Sequence, residues 1–478
     1  MPEHFKLLVP GAKPAGTVNV TAPFDGAHIA SIDTGDASAV EIALSSAHDL
    51  FSNKKSWLTA EQRISVLEKA AVIMQSRFDE LAIEAAREGG KPLVDSKVEV
   101  TRAIDGMKNC AEVLRSGHGT EIPMGKNAAS MNRLAFTTLE PIGVVVAVSA
   151  FNHPLNLAVH QIGPAIAAGC PVIIKPAEDT PLSCFRLINI LHEAGLPEAW
   201  CQGIVTTDHD AASQLVSDNR VALFSFIGSA RVGWMLRSRL ANGTRCALEH
   251  GGVAPVIVSH DADMDDTVAL LSKAGFYHAG QVCVSVQRVY AEKSIARTLA
   301  ERIAAAGNKM KIGDPTLADT EIGPLIRHAE TDRIDDWVQD AITKGAELIS
   351  GGEKISDSCY QATVLFNPPA DAIISQNEIF GPVICVYEYQ DIDEAIARAN
   401  SLDVAFQAAV FSKNIDTCMY AFKQLDASAV MVNDHTAFRV DWMPFAGLKH
   451  SGHGVGGIPH TIKDMQIEKM MLIRSPSL

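Results

Sequence analysis

A doubly wound α/β fold is predicted by three features of the chain. Short apolar runs at Val144–Val148, 172–174 and 221–226 lack the in-out alternation of a half-exposed sheet, so they suit strands covered on both faces. Between them lie helical patterns, at 153–168 and from Thr180 to Gly195, giving the order of βαβ units. Past Glu249-His250-Gly251-Gly252 the alternation resumes with Val256-Ile257-Val258 and continues to about Asn433, a second α/β unit. Such sheets bind ligands at the carboxyl ends of their strands.

The elements follow in order. Residues 60–88 are expected to form one long amphipathic helix, because Ile64, Leu67, Ala71, Met74, Phe78 and Leu81 recur at helical spacing. Thr59 and Gln62 make a capping box, and Gly89-Gly90 stops the helix. A second helix follows Pro92, with Val94, Val98, Thr101, Ile104, Met107, Ala111 and Leu114 as its apolar stripe and Arg102 beside it. The helix after the second strand opens at Thr180-Pro181, a cap followed by proline in the first helical position. The strand at 221–226 ends at Ile227-Gly228-Ser229. Two segments fit neither core: 121–139, polar and alternating, and 467–473, apolar and alternating. Both read as strands that reach a neighbouring subunit.

Composition narrows the function. In 478 residues, 41 Lys+Arg stand against 56 Asp+Glu, a formal charge of −15. With no long basic cluster, the chain has no footprint for nucleic acid or an anionic lipid surface. The N-terminus lacks the apolar core of a secretory signal, and the apolar run at 142–151 is far too short for a membrane span, so a cytoplasmic protein is expected. Nine cysteines (Cys110, Cys170, Cys184, Cys201, Cys246, Cys283, Cys359, Cys385 and Cys418) include no CxxC pair, and histidines show no ligand spacing. Neither a disulfide framework nor a metal site is expected.

Several residues could carry chemistry. Cys283 lies in a glycine-bearing loop, His278-Ala279-Gly280-Gln281-Val282-Cys283, where backbone N–H donors and close access could serve a nucleophile; buried packing is the plainer alternative. Glu249, at a strand end before two glycines, is a candidate general base or a solvated loop acid. Asn152, just past the Val144–Val148 strand, could donate to an oxyanion or serve only as a turn residue. Lys175 and Glu178 follow a buried strand where a nucleotide ribose would sit, and Gly228-Ser229 opens a helix whose N–H groups could meet a pyrophosphate. No G-x-G-x-x-G fingerprint occurs there.

Taken together, Ala150-Phe151-Asn152-His153-Pro154, Lys175-Pro176-Ala177-Glu178, Phe226-Ile227-Gly228-Ser229, Glu249-His250-Gly251-Gly252, Gly280-Gln281-Val282-Cys283, Glu378-Ile379-Phe380-Gly381-Pro382 and Pro444-Phe445-Ala446-Gly447 resemble the aldehyde dehydrogenase superfamily from about Ala60 to the C-terminus. The resemblance implies a Rossmann-like cofactor-binding domain (1–120 and 140–248), a catalytic domain (249–433) and an oligomerisation segment (121–139 and 455–478) of a homodimer or homotetramer. It implies that Cys283 attacks an aldehyde, that Asn152 and the Cys283 N–H hold the oxyanion, and that Glu249 activates the water that hydrolyses a thioester. Glu378 would hold the nicotinamide ribose, Phe380 pack against the ring, and Lys175 and Glu178 take the adenosine ribose, which favours NAD and leaves NADP admissible.

The departures bear on substrate. His250 stands where leucine is usual, Ala446 where glycine is common, and the run after Ser451-Gly452 lacks the frequent Gly-Arg-Glu-Gly ending. Arg102, His153 and Arg439 occupy positions similar to those that hold an anionic substrate end in phosphonoacetaldehyde and non-phosphorylating glyceraldehyde-3-phosphate dehydrogenases, while the further arginine of those relatives is Val282 here. A short monoanionic aldehyde is expected, sulfoacetaldehyde first. The alternatives are that the arginines pair with acids such as Glu99 or Asp441 and shape a pocket for a neutral aldehyde such as lactaldehyde, that the substrate is phosphonoacetaldehyde or a semialdehyde, or that the reaction is acylating with CoA, against which Glu249 argues.

Overall fold

A computed structural model describes residues 2–478. Its first sheet holds five parallel strands in the spatial order Arg245–Glu249, Val221–Ile227, Val144–Val148, Val172–Lys175 and Cys201–Gly203, with Gly452–His453 antiparallel on the Arg245–Glu249 edge. Val144, Val145 and Val146 are wholly buried, as a strand with helices on both faces requires. The chain winds outward in both directions from Val144–Val148. The order therefore reverses between that strand and Val221–Ile227, and a crevice opens at their carboxyl ends.

Pro154–Ala168 is mostly apolar and buried along nearly its whole length, with Asn156, His160 and Gln161 also inside, because it lies between this sheet and the helix Leu93–Ser116. Proline opens it and Gly169, in the left-handed region, closes it. The region expected as one helix over 60–88 is two, Ala60–Ser76 and Phe78–Gly89. Arg77 leaves helical geometry between them and pairs with Glu193, so the chain changes direction there. The expected capping box at Thr59 and Gln62 is formed.

Two further expectations need correction. Val94, Val98 and Thr101 face solvent, and the first turns of Leu93–Ser116 bury Asp95, Ser96 and Glu99 instead. That face looks onto ionic partners: Glu99 pairs with buried Lys91, and Asp95 with Lys273. The apolar stripe holds only from Val100 and Ile104 onward. The helix Leu182–Glu193 is capped by the buried Glu88, which accepts from the Leu182 and Ser183 N–H groups and from Ser183 Oγ. Thr180 turns away, its hydroxyl donating to Phe151 O.

The second sheet runs Glu347–Ser350, Thr363–Phe366, Val383–Tyr389, Arg288–Glu292, Pro255–Val258, Gln407–Phe411, Ala429–Val432, parallel except at the first pair. A third, antiparallel sheet joins Glu121–Ile122, Arg133–Pro141 and Gln466–Arg474. Within 455–478 only that last strand joins it, since Ile458–Asp464 is a helix packed on Pro154–Ala168 and Leu93–Ser116. A small N-terminal sheet of Glu3–Phe5, Gly16–Thr21 and His28–Thr34 completes the framework. Among the described residues no helix is long and apolar enough to cross a membrane.

Candidate active site

The carboxyl edge of the first sheet gathers the residues singled out from its strands. Lys175 ends one strand and its Nζ lies 3.3 Å from Glu178 Oε1. Gly228 follows Val221–Ile227, and a Cβ there would stand 2.9 Å from the Phe226 ring, which would have to shift to admit it. Ser229 is the N-cap of Ala230–Arg237 but makes no side-chain cap, leaving first-turn N–H groups for an anion. Asn152 is buried just before Pro154–Ala168.

The second α/β unit brings Cys283 to the same crevice. His278 and Ala279 have positive φ, and a Cβ on Gly280 would meet Gly381 O at 2.0 Å, so the loop is tightly folded. Gln281 stitches it, its amide donating to His278 O and Pro324 O and accepting from Ile326 N–H. Asn152 Nδ2 donates across the units to Gln281 O at 2.9 Å, and Thr436 Oγ1 donates to Val284 O at 2.7 Å. The loop thus holds Cys283 half-buried, two residues from the carbonyl that Asn152 bonds. Burial pushes the thiol up to about 12; Glu378 and Glu249 add to the shift and Arg439 opposes it.

Three further predicted residues line this crevice. Burial raises the Glu249 carboxyl above its ordinary range while Arg439 draws it down, and its Oε1 rests where a Cβ on Gly456 would be, 2.0 Å away. Its surroundings include His160, Gln161, Thr461 and Asp464. Glu378 lies against Gly251, where a Cβ would stand 1.9 Å from its Oε1; that oxygen is buried without a partner, and burial raises the group to about 8. Phe380, at positive φ, meets Phe151 edge to face at 5.9 Å.

The basic residues divide. Arg102 makes a two-pronged pair with Asp441, Nη2 to Oδ1 at 2.5 Å and Nε to Oδ2 at 3.3 Å. Asp441 also accepts from His160 Nε2 at 2.8 Å, and although burial pushes Asp441 up, His160 and Arg102 hold it well below the usual carboxylate range. Arg439 is buried with its guanidinium 3.5 Å from the Phe445 ring centre; its Nε is only 4.0 Å from Asp441 Oδ1 and makes no hydrogen bond. Glu99 pairs with Lys91 and accepts from the Leu155 and Asn156 N–H groups, so it fixes the start of the helix after Asn152 and leaves Arg102 to Asp441.

His153 does not add a cation. Burial, with Lys91, His278, Arg102 and Arg439 nearby, drives its pKa far down and keeps the ring neutral. The basic residues left are two arginines, Arg102 set against Asp441 and Arg439 between Asp441 and Glu249. His160 and the Lys91–Glu99 pair were not visible as site residues from sequence. The only signal for His160 is its position two helical turns beyond Asn152 and His153, on the same face.

The model of the aldehyde dehydrogenase family matches residues 9–471. The chain belongs to that family. A 3-sulfolactaldehyde dehydrogenase of Priestia aryabhattai is 36% identical over 444 residues, 93% of this chain and 92% of the relative. The crystal structure of aldehyde dehydrogenase 21 from Physcomitrella patens, in complex with the reaction product succinate, matches with TM-score 0.95 and 33% identity over 99% of both chains. The glyceraldehyde-3-phosphate dehydrogenase GapN of Methanocaldococcus jannaschii, complexed with NADP, matches with TM-score 0.91 and 31% identity, covering 97% of this chain and 100% of that one. This aldehyde dehydrogenase thus has the predicted α/β, Rossmann-like fold.

Proposed function

We propose that this aldehyde dehydrogenase oxidises a short anionic aldehyde, sulfonate or carboxylate, to its acid with NAD, NADP being admissible. The observation that carries the substrate class is at Arg439: Asp441 is taken by Arg102 and His160, Arg439 keeps only the nearby Glu249 charge and a 3.4 Å contact of Nη2 with His160 Nδ1, and its Nε is buried without a hydrogen-bond partner. A buried guanidinium stays charged and calls for a further anion. The three relatives support it, since sulfolactaldehyde, succinate and glyceraldehyde 3-phosphate all carry an acidic group beyond the reacting carbon. Sulfoacetaldehyde remains the first compound to try, with 3-sulfolactaldehyde beside it.

The residues present fit a dinucleotide. Glu378 offers a buried oxygen without a partner for a ribose hydroxyl, the side-chain-free Gly251 makes room beside it, and the Gly228-Ser229 turn presents N–H groups to phosphates. Lys175 and Glu178 would take the other ribose, and Phe380 the nicotinamide face. When bound, the dinucleotide supplies the acceptor for the hydride lost from the substrate carbon.

The chain's own residues do the rest. Arg439 binds the substrate's anionic end, and Arg102, held by Asp441, supports it. Cys283 Sγ passes its proton through Glu249 to solvent, which leaves Glu249 ionised again, and adds to the carbonyl carbon, while the Asn152 amide and the Cys283 N–H hold the oxyanion of the thiohemiacetal. After oxidation, Glu249 takes a proton from water as the water oxygen attacks the thioester; the C–S bond breaks, the acid leaves and Cys283 is regenerated.

A panel of short aldehydes bearing sulfonate, phosphonate, carboxylate or no charge, with NAD and NADP, tests the reading. The monoanions should be preferred. Arg439→Ala removes a desolvated charged contact of about 1.5–3 kcal/mol, so kcat/KM for them should fall about 10- to 150-fold while neutral aldehydes lose little. Equal loss for charged and neutral substrates overturns the anionic assignment.

A further inference from the structure

His250 stands where leucine is usual in this motif, and the fold gives its ring a specific place. It is buried between Phe226 and Trp234, with ring centres 5.6 and 5.8 Å away. It also covers Gly233, where a Cβ would come 2.0 Å from its Cε1. Its Nδ1 lies 2.9 Å from Gly228 O. A carbonyl only accepts, so Nδ1 carries the proton, and Nε2 is the bare nitrogen, buried without a partner. From the other side the Gly228 N–H donates to Glu249 O at 3.0 Å. Two consecutive residues, 249 and 250, therefore grip Gly228 by its C=O and its N–H.

The grip has a directional consequence. In a trans peptide the C=O of Gly228 and the N–H of Ser229 point in opposite directions in one plane. Holding the carbonyl against His250 fixes the Ser229 N–H, and with it the uncapped start of Ala230–Arg237, facing away from the ring. Leucine would fill the space between Phe226 and Trp234 but would leave that plane free to rotate, since Gly228 has no side chain to restrain it.

We propose that His250 is a positioning residue: its Nδ1–H latches the Gly228-Ser229 turn to the strand end that carries Glu249 and so sets affinity for the phosphates of the dinucleotide. This rests on the dinucleotide reading above. It concerns binding before any chemistry and needs no aldehyde to be tested.

Dissociation constants of NAD and NADH would be measured by titration calorimetry for the wild type, His250→Leu and His250→Asn, with melting temperature followed alongside. Leucine keeps the packing and removes the donor, so binding should weaken about tenfold. Asparagine carries Nδ2–H where histidine carries Nδ1–H, and should stay within about threefold of wild type. If the ring served only to fill space, the order would reverse, with leucine tolerated and asparagine, polar between two aromatic rings, the weaker binder. Should His250→Asn fail to fold, an unchanged affinity in His250→Leu alone overturns the latch. Failure of the wild type to bind either dinucleotide overturns the underlying reading instead.

Discussion

Cys283 sits among opposed charges. Burial raises its thiol to about 12, Glu378 and Glu249 push the same way, and only Arg439 pulls it down. The free enzyme therefore rests as a thiol at neutral pH, and its thiolate fraction grows with every unit of pH. Iodoacetamide alkylation of Cys283 should accelerate through pH 10 without a plateau. Glu378→Gln and Glu249→Gln should each speed it, and Arg439→Ala slow it; a plateau below about pH 8 would show a thiolate already formed at rest. Cys283, Glu249 and Asn152 stand out as candidates in the chain because glycines or a strand end lie beside them, whereas Glu378 enters only through the family resemblance. Asp441 with His160 was not legible as a pair, since the partners are 281 residues apart and only tertiary packing joins them. His153 shows the reverse limit: sequence supplies a base, and burial beside other cations removes its charge.

At the scale of elements, apolar periodicity located strands and buried helices well, and failed where a helix turns a polar face inward. The opening turns of Leu93–Ser116 bury Asp95, Ser96 and Glu99 because their partners Lys273 and Lys91 lie opposite, a fact no local pattern carries. The cap of Leu182–Glu193 is of the same kind. A threonine before a proline is a fair local signal, yet the cap comes from Glu88, whose carboxylate accepts from two N–H groups and a hydroxyl at once. Glu88→Ala would leave those donors buried and unmet, at about 1–3 kcal/mol for each group so stranded. The melting temperature should fall by several degrees, and amide exchange at Leu182 and Ser183 should rise ahead of that in the strands. Glu88→Gln keeps an acceptor oxygen and should lose less. Unchanged exchange at these two amides in Glu88→Ala would show that the helix start is held by other means.

At the scale of the whole molecule, two parallel sheets contribute one edge each to the crevice, and the antiparallel third sheet contributes no residue to it. That sheet is an arm. Gln466–Arg474 pairs along its whole length with Arg133–Pro141, so the arm is secured within its own chain. Met470, Met471, Leu472 and Ile473 nevertheless stay exposed, between 41% and 54%. Successive strand residues point to opposite faces, so both faces of the arm are apolar and uncovered in a single chain. Leu134 and Leu139 on the paired strand extend the surface. A patch of this kind on a soluble domain marks an interface, and a second copy of the chain is the expected cover, in a homodimer or homotetramer. Met471→Glu with Ile473→Glu places two charges on one face, at alternate positions. Light scattering at micromolar concentration should show the wild type as an oligomer and the double variant shifted towards monomer, with NAD binding retained because the arm lies outside the crevice. A monomeric wild type, or a variant whose mass does not move, would refute the assignment of the arm to assembly.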